Sequence, residues 1–414
     1  TNDLCSVNPS TVTIVSQPLN GLLTKGVNGN FTYVPLGNET ATYTFQYQVC
    51  STIGSNCSIA TVTINVLSSF TSDPCSTLSQ ERIFYMPFPE NTDQLHSALK
   101  SAGSHSTNSI QPEVRNISSL SVPYPSTIII YDHWEDGYEA NILKPTQATT
   151  QIWGDGILTN GIAPGTTNDL IPPGHYITFD NTFNWSRPTT QIEYDGKDKI
   201  YASNEISVTK VTGSINTFNV QNVKTNVIDT SKFGTTYVLP FGENTKLDNT
   251  RVFRYTGLFA RAMENGTRIT IKRPNGTTIT GGTSPVLAEG EVWYFGGTAS
   301  TPIGLYPADV DNANDLKAGY IVSSDKKFGV DLVFGGIDNY GTRNIPLYPA
   351  EYYSHTYYSP FYSTSSDAAA KAYFVNPNPG QIRINWTRGN GTSGYFMVPG
   401  SGGANINVFN LNVA

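Results

Sequence analysis

The chain has 414 residues, a net charge of −7 and only 14% charged residues. Its length predicts roughly three modules rather than one compact core. The acidic balance excludes a typical nucleic-acid-binding protein, which needs a basic face, and no apolar stretch is long enough to span a bilayer. Abundant Thr, Tyr, Asn, Gly and Pro instead favour short strands joined by many turns, and hence an all-β protein.

Residues 8–68 show four alternating apolar and polar stretches: TVTIVSQPLNGLL, GNFTYVP, TYTFQYQVC and CSIATVTINV. Period-two alternation between turn signals predicts a β-sandwich of short strands. The stretch resembles the bacterial Ig-like and cadherin-like tandem repeats of large surface proteins, which share its FTY, YQVC and ATVTINV elements. Such repeats are spacers and adhesive stalks, so the resemblance implies no chemistry.

The four cysteines, Cys5, Cys50, Cys57 and Cys75, all lie in the first fifth of the chain. Cys50 and Cys57 stand at the two ends of a predicted hairpin, which favours a disulfide between them. A bond between Cys5 and Cys75 follows only by elimination. A zinc site is the disfavoured alternative, because no His lies among the cysteines and no C-x-x-C spacing occurs.

The chain contains nine N-x-S/T sequons, which together favour a glycosylated, secreted surface. They begin at Asn30, Asn38, Asn56, Asn116, Asn184, Asn265, Asn275, Asn385 and Asn390. Three of them read Asn-Gly-Thr, and Asn-Gly is also a favoured hairpin turn, so turn formation explains those three equally well.

After a linker, an opening strand recurs three times, each with a Pro-Phe pair: FYMPFPENT from Phe84, YVLPFGENT from Tyr237 and YYSPFYSTS from Tyr357. A hairpin is predicted after each, at His133–Ile142, Ala262–Ile271 and Val375–Ile384. We therefore predict tandem β-sandwich modules, Ig-like or jelly-roll-like, in four segments. These are an Ig-like module at 1–75, repeat 1 at 76–225, repeat 2 at 226–350 and a partial repeat 3 at 351–414.

Closing strands are predicted at Ala202–Gly213 and Ser323–Gly336, and period-two burial should point Ile206 and Val208 inward like Phe328 and Val330. Repeat 3 reaches Ala414 before such a strand appears. Either the natural chain continues, or a partner supplies the strand by main-chain pairing. Helix is predicted only weakly, at Asp93–Ser101 and Asp367–Ala372.

The order of these elements resembles the N-terminal domain of IgGFc-binding-type proteins, most clearly over residues 230–336. The motif YDHWEDGYE at Tyr131–Glu139, followed by WGDG at Trp153–Gly156, is similar to surface and appendage proteins, including mastigoneme-like hair proteins. These resemblances imply a surface or appendage role without a defined activity.

The YDHWEDGYE segment is the strongest candidate for chemistry, and its candidate binding residues are Asp132, Trp134, Glu135 and Asp136. Carboxylates beside a Trp could cleave or bind a sugar, or hold a divalent cation. Because neighbouring side chains alternate faces, adjacency in sequence does not place two carboxylates across a substrate. A structural turn anchored by the Trp is the favoured interpretation.

A second acidic loop could bind Ca²⁺, since hard oxygen ligands occur at alternate positions. Its candidate ligands are Asp309, Asp311, Asn312, Asn314 and Asp315. The loop departs from the EF-hand pattern, and a solvated polar loop is the alternative. Asp155 with Asp169 is a weaker cation candidate.

Tyrosines cluster around His355, between the second and third repeats. Tyr353, Tyr357 and Tyr358 are the candidate contact residues for a carbohydrate or protein, although half of the cluster would point inward in ordinary strands.

No Walker loop, G-x-S-x-G elbow, H-E-x-x-H or dinucleotide fingerprint occurs. We therefore predict a non-enzymatic structural subunit of an extracellular cell-surface filament, appendage or stalk, assembled through module packing or strand exchange. Its expected partners are itself, as a homopolymer, or other cell-surface components, and glycans are a further candidate. No cofactor is expected except Ca²⁺. The alternative is a monomeric carbohydrate- or protein-binding adhesin with calcium-binding loops.

Overall fold

The structure is a computed structural model that describes the following residues: 7–34, 41–51, 56–66, 82–89, 95, 98, 113–184, 187–215, 222–242, 255–296, 315–335, 342–358, 371–374, 376, 380–400 and 407–410. Most of these residues form strands and connecting turns, with only short helical pieces among them, which confirms the predicted all-β class. The chain divides into two compact units, residues 1–81 with 152–170, and residues 82–151 with 171–414. No helix among the described residues is long and apolar enough to cross a membrane.

The first unit contains an antiparallel sheet and a separate hairpin. Its strands are β1 (Val7–Ser16), β2 (Leu22–Lys25), β3 (Phe31–Val34), β4 (Ala41–Ser51) and β5 (Cys57–Val66). The sheet has the order β1-β4-β5, and β2 pairs with β3. Phe45 of β4 is buried and meets Phe31 of β3 edge to face, with ring centroids 5.1 Å apart. The alternating apolar residues thus build a small core between the sheet and the hairpin.

The predicted disulfide is confirmed, since Cys50 and Cys57 are bonded and face each other across β4 and β5. Cys5 and Cys75 lie outside the described residues. The bond closes a short loop, for which the chain-entropy argument gives about 2 kcal/mol of stabilisation.

Replacing both Cys50 and Cys57 by Ser should therefore speed hydrogen exchange across β4 and β5, because it relaxes a constraint on the unfolded hairpin. Exchange in the second unit should not change. A variant carrying Cys5→Ser and Cys75→Ser is the matched control and should keep the protection of β4 and β5. Equal exchange in all three proteins would contradict the assignment of a stabilising role to this bond.

Repeat 1 forms two sheets, and all of its strands except β9 lie wholly within the second unit. Its strands are β6 (Arg82–Tyr85), β7 (Glu113–Val122), β8 (Ile129–Asp132), β9 (Gln151–Trp153), β10 (His175–Asn184), β11 (Lys199–Ala202), β12 (Ser207–Ser214) and β13 (Asn222–Asn226). One sheet has the order β10-β7-β12-β13, and in the other β11 lies between β6 and β8. Strand β9 crosses the division between the two units.

Repeat 2 is organised around one long strand. Its strands are β14 (Gly234–Val238), β15 (Tyr255–Ala262), β16 (Thr270–Lys272), β17 (Thr278–Thr283), β18 (Val292–Gly296), β19 (Ile321–Gly335) and β20 (Arg343–Leu347). Strand β19 pairs with β14, β15, β16 and β20. Two short 3₁₀ helices, Thr230–Lys232 and Ala350–Tyr352, flank the repeat.

The two repeats share one strand order, as the recurring Pro-Phe segments predict. Strands β11 and β12 together correspond to β19. Strands β6 and β8 pair with β11 as β14 and β16 pair with the start of β19. Strands β7 and β13 pair with β12 as β15 and β20 pair with the rest of β19. The described strands of repeats 1 and 2 therefore share one topology.

The residue before each Pro-Phe pair makes the same two backbone hydrogen bonds. Met86 N–H donates to Asp198 O (2.8 Å) and Met86 O accepts from Lys197 N–H (2.7 Å). Leu239 N–H donates to Tyr320 O (2.9 Å) and Leu239 O accepts from Gly319 N–H (2.8 Å). This bonding ties the end of the opening strand to the start of the central strand in both copies.

The register prediction for the closing strands holds for three of four residues. Val208, Phe328 and Val330 are buried, and Ile206 is half-buried. The predicted hairpins at His133–Ile142 and Ala262–Ile271 are wrong. Residues 133–142 contain turns and no strand, and β15 and β16 each pair with β19 instead of with each other. The central strand comes later in the chain, so local turn signals could not reveal it.

Repeat 3 shows two strand pairs among its described residues. Its strands are β21 (Lys371–Phe374), β22 (Ile382–Thr387), β23 (Ser393–Val398) and β24 (Asn407–Asn410). Strand β21 pairs with β24 and β22 with β23, as β15 pairs with β18 and β16 with β17.

The predicted opening strand from Tyr357 and the predicted helix at Asp367–Ala372 are wrong where the structure describes them. The predicted helix at Asp93–Ser101 is described at two residues only. Tyr357 and Tyr358 lie outside any strand, although an opening strand was predicted from Tyr357. Lys371 and Ala372 belong to β21 instead of a helix. In the other predicted helix, Leu95 and Ala98 are helical, and the residues around them lie outside the described residues.

Repeats 1 and 2 pack on each other through both apolar and charged contacts. Every residue of β15 is buried. Phe259 of β15 meets Phe88 of repeat 1 edge to face, with ring centroids 5.4 Å apart. Arg261 donates to the Tyr85 carbonyl and pairs with Asp331 (2.9 Å). The two repeats thus form one interior in which the buried charges of Arg261 and Asp331 are paired with each other, as buried charges require.

Candidate functional site

A group of charged side chains lies buried in repeat 1, which we call the buried polar cluster. Its members are His133, Glu135, Arg187, Asp195 and Asp198. His133 and Glu135 follow β8, and Asp198 immediately precedes β11. Because β8 and β11 pair antiparallel, with Asp132 opposite Lys199, the end of one strand lies beside the start of the other. The sheet therefore brings together residues about sixty positions apart in sequence.

Arg187 holds two carboxylates of the cluster. Its Nη2 lies 3.0 Å from Glu135 Oε1 and also contacts Asp195 Oδ2. Its Nη1 donates to the carbonyl of Gln191. The side chains of all three charged residues are at most 3% exposed. A planar guanidinium can bridge two acids in this way, and buried charges persist only when they are paired.

Asp198 is a completely buried acid of the cluster. Its Oδ2 accepts from Tyr131 Oη (2.8 Å) and from Asp195 N–H (3.0 Å). His133 Nδ1 lies 3.6 Å from the same oxygen and 2.8 Å from the Glu193 carbonyl. Burial raises the pKa of Asp198. Burial alone would lower the pKa of His133, but Asp198 and the Glu193 carbonyl favour the imidazolium and raise it.

Glu135 is only partly satisfied. Its Oε1 accepts from Arg187 and from the Glu193 amide (3.2 Å), whereas its buried Oε2 accepts no hydrogen bond from any described residue. Burial and the nearby Asp198 carboxylate raise the pKa of Glu135 to about 7. One ring nitrogen of His133 and one carboxylate oxygen each of Glu135 and Asp198 lie within 4.8 Å of one another. These three residues could hold a metal ion.

Asp132 and Glu139 form a second, self-contained pair of acids that organises the turn after β8. Asp132 accepts from the Glu139 amide (3.0 Å), and burial raises the pKa of Asp132 to about 6. Glu139 accepts from the amides of Thr146 (2.8 Å) and Gln147 (2.7 Å). Its pKa is lowered, since those donors outweigh the effect of burial. These carboxylates fasten a loop by hydrogen bonds to backbone amides.

Trp134 does not present an open platform for a sugar. Lys197 Nζ lies 3.5 Å from the centre of its ring, and its indole N–H donates to Asp195 Oδ1 (2.9 Å). Asp136 is exposed and accepts from the Thr149 hydroxyl. Of the predicted binding residues in this segment, Asp132 and the Glu135 side chain are thus buried, Trp134 is covered on one face and Asp136 alone is open to solvent. The arrangement agrees with an anchored structural turn.

The WGDG loop of the first unit is organised by Asp169. Asp169 Oδ2 accepts from the amides of Gly154 (3.0 Å), Asp155 and Gly156, and its Oδ1 accepts from Ala163 N–H (2.7 Å). Asp155 in turn accepts from Ile157 N–H and from the Asn160 amide. A carboxylate surrounded by amide donors already has its oxygens occupied, so Asp169 closes a loop and is a poor cation ligand.

The other predicted sites fall partly outside the described residues. Of the calcium candidates, Asp309, Asp311, Asn312 and Asn314 lie outside them, and Asp315 is buried. Tyr353, Tyr357 and Tyr358 are exposed, Tyr358 at 92%. The calcium loop and the tyrosine surface both stay predictions.

The sequons differ sharply in exposure. Asn38 lies outside the described residues, and seven of the remaining eight asparagines are exposed: Asn30, Asn56, Asn184, Asn265, Asn275, Asn385 and Asn390. Asn116 is completely buried and donates to the Tyr194 carbonyl (2.7 Å). A glycan at Asn116 is therefore incompatible with this fold, and that sequon is wrong as a surface attachment site.

Sequence reasoning missed three of the five residues of the buried polar cluster. Arg187, Asp195 and Asp198 lie in a polar stretch whose composition is typical of a loop. The signal that could have found them is the pairing of the strand after Asp198 with the strand before His133. The repeat alignment contains that pairing, because β8 and β11 correspond to β16 and β19.

The comparisons with known proteins bear on the first module. The family described as "Bacterial Ig domain" matches residues 1–65. No curated protein and no solved structure shows a significant match to the chain. The Ig-like resemblance of the first module is thus confirmed, while the resemblance of the later repeats to IgGFc-binding-type and mastigoneme-like proteins stays a prediction.

Proposed function

We propose that this chain is a non-enzymatic structural subunit of an extracellular cell-surface filament, appendage or stalk. The observation that carries the proposal is the repetition of one β unit, with repeat 1 and repeat 2 packed into a continuous interior. A repeated module that buries its contact with its neighbour builds a stiff rod, because neither copy can rotate freely against the other. The Ig-type first module fits a surface location, since such domains are typically spacers.

Polar and charged contacts between repeats 1 and 2 support the proposal that the two repeats are held in a fixed relative orientation. Lys199 of repeat 1 pairs with Glu289 of repeat 2 (2.6 Å), and the Tyr85 hydroxyl donates to the same carboxylate. Gly290 lies against Tyr138 so closely that a Cβ would collide with the phenol ring. Tight, polar and directional contacts favour one relative orientation of the two copies over others.

Repeat 3 supports assembly through strand exchange. Strand β19 joins the two halves of repeat 2, and in this proposal a second copy supplies the strand that joins β21 to β22. Ile269, just before β16, is completely buried, whereas Ile382 of β22, at the corresponding position of the recurring segment, is 36% exposed. An added strand from a second copy would cover this apolar face and satisfy the free main-chain groups.

Assembly is tested by sedimentation velocity and negative-stain imaging of the full chain over a range of concentrations. The wild type should form oligomers or filaments. Ile384→Asp, which places a charge on the inward side of β22, should shift the population to monomer by removing most of the apolar contact. Ser393→Asp, on the exposed side of β23, is the matched control and should assemble like the wild type. A wild type that is monomeric at every concentration overturns the subunit proposal.

The alternative proposal is a monomeric adhesin that binds carbohydrate or protein. It is favoured by the exposed tyrosines Tyr353, Tyr357 and Tyr358, since tyrosine is enriched at recognition surfaces. Binding of a monomer to a glycan array, abolished by Tyr357→Ser and Tyr358→Ser together, would support this alternative over the filament.

A further inference from the structure

We propose that His133, Glu135 and Asp198 form a binding site for one divalent transition-metal ion, with Zn²⁺ or Mn²⁺ as the expected occupants. The three residues offer one nitrogen and two carboxylate oxygens, all within 4.8 Å of one another. Ligand atoms about 2.0–2.2 Å from a tetrahedral ion lie about 3.3–3.6 Å from one another, so side-chain rotations must bring the most distant of these three atoms about 1 Å closer when the ion binds.

The first argument is the unsatisfied oxygen of Glu135. Its Oε2 is buried and accepts no hydrogen bond from the described residues, and the side chain is 0% exposed. A buried acceptor without a partner is costly and calls for a ligand or bound ion. Arg187 occupies the other oxygen of Glu135, so Oε2 is the atom left for a cation.

The second argument is the charge balance and the isolation of the site. The His133 and Asp198 side chains are 2% and 0% exposed, so bulk water does not compete for the three ligand atoms. Arg187 already faces both Asp195 and Glu135, and Asp198 is faced by His133 and by the charge of Lys210. A dication bound by the Glu135 and Asp198 carboxylates would carry the positive charge that buried carboxylates require.

The third argument is the set of contacts behind the ligands. Tyr131 and the Asp195 amide donate to Asp198, and the Glu193 carbonyl faces His133 Nδ1 at 2.8 Å. Such contacts orient ligating side chains before the metal arrives. Binding through Nε2 would keep the contact to Glu193, and binding through Nδ1 would replace it.

The donor set decides the kind of metal. A histidine nitrogen with two carboxylates suits Zn²⁺, Mn²⁺ or Fe²⁺, whereas Ca²⁺ prefers six to eight oxygen ligands. The site is therefore distinct in residues and in chemistry from the calcium loop predicted at Asp309–Asp315.

The test uses the full chain, purified, stripped with EDTA and then dialysed against Zn²⁺, Mn²⁺, Co²⁺ or Ca²⁺ in separate samples. Bound metal is measured by mass spectrometry, and thermal unfolding is followed with and without each ion. We expect one equivalent of Zn²⁺ per chain and a higher unfolding temperature, since a ligand that binds only the folded state stabilises it. Co²⁺ should give a visible absorption band characteristic of mixed nitrogen and oxygen ligands.

The variants separate this site from nonspecific binding. Glu135→Gln keeps the shape of the side chain and a hydrogen-bonding oxygen but removes the anionic ligand, so it should lose the equivalent of Zn²⁺ and the Co²⁺ band. Asp136→Asn, at the exposed neighbouring carboxylate, should bind like the wild type, and circular dichroism confirms that both fold. The proposal is overturned if the stripped wild type takes up none of the three transition metals, or if Glu135→Gln binds them as the wild type does.

Discussion

Replacing Arg187 by Met should lower the free energy of unfolding by about 3–5 kcal/mol, one of the two largest effects expected for this chain. The change leaves Glu135 and Asp195 buried without their shared cation, and an uncompensated buried charge is costly. Because several modules need not unfold in one step, residue-resolved hydrogen exchange of β8 and β11 is the appropriate measurement.

The matched control is Arg115→Met. Arg115 also pairs with a carboxylate, that of Asp180 at 2.6 Å, but both side chains are substantially exposed. An exposed pair contributes about 1 kcal/mol or less, because water and salt screen it. Equal losses of unfolding free energy in the two variants would show that the buried ion pairs of Arg187 stabilise the protein no more than the exposed pair of Arg115 does.

The second large effect is expected for Arg261→Met at the contact between repeats 1 and 2. This substitution removes the partner of Asp331 and the donor to the Tyr85 carbonyl, and a loss of about 3–5 kcal/mol is expected. Faster hydrogen exchange should appear in β15 and β19 together, and also in β6, whose carbonyl loses its donor.

A double-mutant cycle distinguishes a lost ion pair from lost packing. Adding Asp331→Leu to Arg261→Met removes the unpaired charge and should recover a large part of the stability. Arg273→Met is the control and should change little, because the Arg273 guanidinium lies in an exposed turn and donates to Thr277 and Thr278 within that turn. A double variant no more stable than Arg261→Met would indicate that packing, and not charge, dominates at this position.

Much of the architecture follows from local rules. Period-two alternation located the strands of the first module, and the Cys50–Cys57 bond follows from facing positions in one hairpin. The recurring Pro-Phe pairs identified repeats 1 and 2, because the residue before each pair makes the same two backbone bonds. These features depend on neighbours in sequence, or on comparing one segment with another.

The remaining features depend on which strands pair, and period-two patterns do not encode pairing. The predicted hairpins at His133–Ile142 and Ala262–Ile271 were wrong for this reason. In repeat 2, for example, β19 lies between β15 and β16 in the sheet but comes later in the chain than either strand. The sequence failed to predict the full membership of the buried polar cluster for the same reason. The sequence motif contains His133 and Glu135, whereas Arg187 and Asp198 come after β10 in the chain. A motif of adjacent acids therefore revealed where charge is concentrated, but not what balances it.

The burial of β15 on both of its faces limits how this protein can be divided for experiments. A cut between residues 225 and 226, at the boundary expected from sequence, would split β13 and strip the cover from Tyr255 and Phe259. An isolated repeat 2 would then present an aromatic sheet face to solvent and would tend to aggregate during purification. The smallest fragment suited to crystallisation or binding assays should therefore run uninterrupted from β6 through β20.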